Sequence, residues 1–131
     1  MTKRTSVAGE LLTKTIMDSL LQDLKDEPLY GKVVTKAAAY DMAADVTTAI
    51  IVANGASAIV PVTLPPATGT GRIIAMIAKD VTNAVTLIRA GADVINAAGT
   101  TITFTPAWEY VIVADITSGQ WAILAGTAAL T

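Results

Sequence analysis

The chain has 131 residues, a formal net charge of −2, no cysteine and no histidine. Hydrophobic residues make up 53% and charged residues only 15%, against roughly 25% charged in an average soluble domain. The absence of cysteine excludes a disulfide framework, a thiolate metal site and a cysteine nucleophile, and the absence of histidine removes both the usual near-neutral general base and the commonest transition-metal ligand.

With so little charge to cover a surface, the chain either enters a membrane or hides apolar area against copies of itself. A spanning helix needs about 18 uninterrupted apolar residues, and runs such as Ile73 to Ala78 end far short of that. Aromatic residues are 5%, too few for the girdles of a membrane barrel. The basic start, Met1 to Thr5, is followed by Gly9, Glu10 and Lys14, which interrupt a signal-peptide pattern. Lysines and arginines are scattered, so no track for a phosphate backbone is formed and no nucleic-acid partner is expected. Burial between copies remains, in a chain with no expected catalytic residue, cofactor or metal.

From Ser6 to Lys25 the pattern predicts a helix. Leu12, Ile16, Leu20 and Leu24 step by four, with Met17 and Leu21 beside them, while Lys14, Asp18 and Gln22 fall opposite. Thr5 or Ser6 caps the start, and Pro28 follows the last turn. The stripe is short for a coiled coil, and it packs either on the chain's own sheet or on another subunit. Residues 29–46 are a transition, in which Tyr30-Gly31 marks a turn, Val33 to Thr35 a short strand, and Ala37 to Ala39 suits helix or strand.

From Thr47 the periodicity changes to strands. Thr47 to Val52 ends at the turn pair Asn54-Gly55. Ser57 to Leu64 contains Pro61, which predicts an edge strand or a bulge. Arg72 to Ala78 reads as a strand buried on both faces, and Ala84 to Arg89 and Thr100 to Thr105 alternate. Trp108 to Ala114 and Gln120 to Ala125 flank a hairpin loop at Asp115 to Gly119. Short strands at this spacing predict an all-β sandwich or barrel. The intervals leave no room for crossover helices, so antiparallel pairing is expected. The domain reading is 1–28, an arm with an amphipathic helix; 29–46, the transition; and 47–131, the β domain.

The stretch from Val62 to Leu124 contains, in order, Leu64-Pro65, Gly71 to Ile74, Asn83 to Leu87, the corner Gly91 to Asn96, Trp108 to Asp115, and Gly119 to Ile123, and no internal repeat. This half of the chain resembles the compact β modules of tailed-bacteriophage virion proteins, which include head decoration (cement) proteins, head fibres and tail-fibre segments. The resemblance implies a compact β module that forms homotrimers, and it carries over no catalytic residue; the helix expected ahead of the β domain and the lack of long repeats depart from fibre proteins and favour a small decoration protein. Its expected role is a structural virion protein on the outer surface of the head, whose partners are its own copies in a homotrimer and the major capsid protein. The alternative it carries is a fibre module that binds a host glycan or receptor.

The residue types that suggest chemistry have plainer readings. Gly69-Thr70-Gly71-Arg72 lacks the lysine and helix of a phosphate loop. Asp80, Asp93 and Asp115 fall where turns want local hydrogen bonds. Glu109 is expected at a solvent or interface face, paired with Arg72 or Arg89. Trp108, Tyr110 and Trp121, on neighbouring predicted strands, are candidates for core, subunit-interface or sugar-stacking contacts. With the helix stripe they complete the expected interface set.

Overall fold

The computed structural model describes residues 31–131. The expected helix, and with it Leu12, Ile16, Met17, Leu20, Leu21 and Leu24, lies outside the described residues. The described part is mainly β, and it contains no helix.

Eleven strands follow one another: β1 (Lys32–Lys36), β2 (Tyr40–Asp41), β3 (Thr48–Asn54), β4 (Val60–Thr63), β5 (Ile73–Asp80), β6 (Val85–Ile88), β7 (Val94–Ile95), β8 (Thr101–Phe104), β9 (Tyr110–Thr117), β10 (Gln120–Gly126) and β11 (Ala129–Leu130). A six-stranded sheet has the order β1-β3-β5-β9-β10-β7, and a five-stranded sheet the order β11-β8-β6-β4-β2. The chain changes sheet at every connection but the β9–β10 hairpin.

That alternation corrects the expected antiparallel pairing. β1, β3 and β5 run parallel in one sheet, β2, β4 and β6 run parallel in the other, and β10 is parallel to β7. The antiparallel strand pairs are β5–β9, β9–β10, β6–β8 and β8–β11. A parallel pair needs a crossover, ordinarily a helix of a dozen or more residues. Here a strand in the opposite sheet serves as the crossover, so the first six strands wind as a solenoid does.

The core lies between the sheets. Ile51, Ile74, Met76, Val111, Val113 and Trp121 come from the six-stranded sheet, and Val60, Val62, Val85, Leu87, Ile102 and Phe104 from the other. Each alternates with an outward residue, as the two-residue period of a strand requires. The sequence predicts a strand buried on both faces at β5; instead Ile74, Met76 and Ala78 point in, while Ile73 is 53% exposed. Its outward residues are as apolar as its inward ones, which hides the alternation in the sequence.

Pro61 sits on an inner strand. The Val60 and Leu64 amides donate to the Ala84 and Ile88 carbonyls on the β6 side. The nitrogen of Pro61 therefore faces the β2 side, where β2 pairs only with Val62 and Thr63, and no ladder bond is lost there. Gly55 is required by close approach: a Cβ there would lie 2.6 Å from the Asn83 carbonyl oxygen and 2.8 Å from that of Asp80.

Candidate functional site: the outer face of the six-stranded sheet

The two sheets turn different surfaces outward. On the five-stranded sheet, Pro61, Thr86 and Thr103 form one cross-strand row, and Thr63, Ile88 and Thr101 the next. On the six-stranded sheet, Val33, Ile50, Ala75 and Ile112 form a row across β1, β3, β5 and β9. Thr35, Val52, Ile77 and Tyr110 form the next row, and Ile73 pairs with Ala114 beyond. Lys79 is the one charged residue in the outward register of β5, and β3 and β9 place none beside these residues.

Val33 (59%), Ile73 (53%) and Leu124 (55%) are well exposed, and Ile50 and Tyr110 moderately so. A threonine face satisfies both β propensity and water; an isoleucine and valine face satisfies only the first. Exposed apolar residues thus lie side by side on this face, where isolated ones are the rule on a monomer surface.

The three aromatic candidates separate. Tyr110 lies on this face opposite Ile77, and Trp108 is 60% exposed just before β9. Trp121 is fully buried, and its Nε1–H donates to the Pro65 carbonyl at 3.2 Å. Trp121 therefore cannot share a surface platform with the other two: its position in β10 points inward, between the sheets.

A second feature is an open groove of about 560 Å³ whose lining includes Asp45, Pro65, Thr70, Arg72, Asp115 and Trp121. Its charged groups are engaged within the fold. Asp45 accepts from the Tyr40 hydroxyl, the Thr47 and Thr48 amides and the Thr48 hydroxyl, and it meets Arg72 at 3.5 Å. Arg72 also donates to the Asp45 and Thr48 carbonyls at 2.6 and 2.8 Å.

Asp115, expected in a loop, is instead a buried β9 residue that accepts from the Thr68 and Gly69 amides and the Thr70 hydroxyl. Asp93 accepts from the Ala67 amide at 2.8 Å. Two of the three turn aspartates thus hold a distant loop, and only Asp80, capping the Thr82 amide, acts locally. Glu109 is buried and accepts from the Thr105 amide at 2.8 Å. It pairs with neither Arg72 nor Arg89, because it braces the turn before β9. Leu64-Pro65, Asp93, Asn96, Asp115 and Trp121 all converge on the end of the module that carries the 64–71 loop.

The carboxylates make stability depend on pH. Burial raises the Asp45 carboxyl, but hydrogen bonds from Thr48, Tyr40 and Thr47 outweigh it and hold the group well below the carboxylate range. Asp115 is lowered in the same way: burial opposes, and bonds from Thr68, Gly69 and Thr70 prevail. The Tyr40 hydroxyl is raised, first by its bond to Asp45 and then by burial. A depressed carboxyl contributes stability above its unfolded value of about 3.9 and loses it as pH falls toward the folded value. A raised phenol loses its contribution as pH rises past about 10. The denaturation midpoint is expected to be flat from about pH 5 to 9 and to fall on both sides, which chemical denaturation across pH measures. The acid arm should shrink in Asp45→Asn.

No protein-family model matches the chain, and no curated protein matches it.

Proposed function

We propose that this chain is a structural virion subunit that assembles as a homotrimer through the outer face of the six-stranded sheet and docks on the capsid to decorate or reinforce the head. The observation that carries the self-association is the contrast between the two outer faces. Both sheets are built from one threonine- and alanine-rich composition, yet threonine predominates among the outward residues of one, beside Pro61 and Ile88, and isoleucine and valine among those of the other, beside Thr35. A composition bias would mark both faces alike.

Interfaces between like subunits are more apolar than transient ones. Burying an apolar face stabilises association by roughly 25 cal/mol per Å² removed from water. The mechanism is mechanical, because many equivalent subunits on one shell add weak single contacts through multivalency. The place on the head rests on the resemblance to phage β modules. An antibody against the chain should label the outer surface of intact particles from its source. Label confined to tails, or absent from particles, contradicts the placement.

A further inference from the structure

β1 and β2 stand together where the winding strands begin. β1 is an edge of the six-stranded sheet, and β2 an edge of the five-stranded one. Among the described residues each has a strand on one side only, β3 and β4 respectively. An edge leaves backbone donors and acceptors open, which makes it a template for a further strand. β1 is the longest edge, with five residues; the other edges, β2, β7 and β11, have two each.

β1 carries its charges toward the core. Val34 lies opposite Ile51 and packs on the core. The two-residue period of a strand puts Lys32 and Lys36 on the same side as Val34, and their register partners, Thr48 and Ala53, are both buried. The Lys36 Nζ sits 3.9 Å from the centre of the Tyr40 ring. Tyr40 belongs to β2 and packs on the core as well. Lys36 therefore reaches from one sheet to the other, across the end of the core.

A strand added to β1 would extend the core over these two lysines. They would lose water with no carboxylate to meet them, which is costly for a charge. The cost is greatest when the added strand is β1 of a second copy. A two-fold antiparallel pairing centred on Val34 sets Lys32 of each copy opposite Lys36 of the other, and like charges directly opposite one another destabilise a strand pair.

We propose that Lys32 and Lys36 form a charge block that closes this end of the module against edge-to-edge pairing with a second copy through β1. Lysine on an edge strand and charge turned inward both guard a sheet against added strands, and β1 combines them. The block goes beyond the association assigned to the outer face, because it acts through the backbone edge and the inward side chains of the strand.

The test is sedimentation velocity on the full chain over a concentration series, in the Ile50→Asp/Ile112→Asp background that disables the outer face. Lys32→Thr/Lys36→Thr removes both charges and keeps residues that favour a strand. The expected result is a species of two chain masses, with a dissociation constant at least about 100-fold below that of the background. Lys32→Glu/Lys36→Glu keeps like charges opposed and should associate no more than the background does. A threonine variant that associates no more than the background overturns the proposal, as does a glutamate variant that pairs as the threonine variant does. If the background itself sediments above one chain mass, the outer-face reading is the one that fails, and the difference between the threonine and glutamate variants still decides the block.

Discussion

Replacing Trp121 by alanine is expected to lower stability by about 3–5 kcal/mol, the largest effect of any single substitution in the β module. Trp121 is the largest fully buried side chain. It enters the core from β10, and its ring nitrogen ties that strand to the Pro65 carbonyl in the loop leaving β4. Truncation opens a cavity between the sheets and leaves the carbonyl without its partner. Against a total of about 5–15 kcal/mol, this is a large fraction, and the thermal midpoint should fall by about 10–20 °C. Trp121→Phe keeps most of the volume and loses the hydrogen bond, so it should cost about 1–2 kcal/mol. Differential scanning calorimetry separates the two. A Trp121→Ala protein that melts with the parent would mean that the packing between the sheets is not as described.

The second large effect concerns association rather than folding. Ile50 and Ile112 both flank Ala75 on the outer face of the six-stranded sheet. In Ile50→Asp/Ile112→Asp, assembly would bury carboxylates without partners, which costs far more than the lost apolar contact. Self-association is expected to weaken by about 100-fold or more, the equivalent of about 3 kcal/mol. Because both side chains face away from the core, circular dichroism of the variant should match the parent. Thr86→Asp/Thr103→Asp, a directly opposed pair on the outer face of the other sheet, is the control, and its mass should not change. Equal loss of association in both variants would contradict an interface confined to one sheet.

Much of the β module was legible because strand positions depend on local pattern. Alternation at Thr101–Phe104 and Tyr110–Thr117, and the punctuation at Asn54-Gly55 and Gly119, place strands within a few residues of where they lie. Pairing was not legible in the same way. The rule that short intervals forbid parallel neighbours assumes that a crossover must be a helix, and here it is a strand of the facing sheet. β2 and β11, two residues each, carry no periodic signal at all.

For the candidate site, residue type alone was a poor guide to direction. Trp121 and Tyr110 lie on adjacent antiparallel strands, yet one faces the core and the other the solvent. Asp115 and Asp93 look like turn residues in sequence because their partners lie in a loop 26 to 47 positions away. The apolar outer face was hidden for a related reason. In β5 the inward series Ile74, Met76 and Ala78 and the outward series Ile73, Ala75 and Ile77 have the same chemistry. One signal was available: a strand apolar on both faces must be covered on both. Nothing in the sequence marks the left-handed backbone of Trp108, whose φ is 69°, because bulky residues seldom adopt that conformation.

We propose that this chain closes its apolar sheet face against its own copies. Light scattering coupled to size exclusion at micromolar concentration tests it most directly. The predicted mass is three times the 13.5 kDa of one chain, collapsing to a single chain in Ile50→Asp/Ile112→Asp. A stable species of one chain mass for the unsubstituted protein across the micromolar range would contradict it.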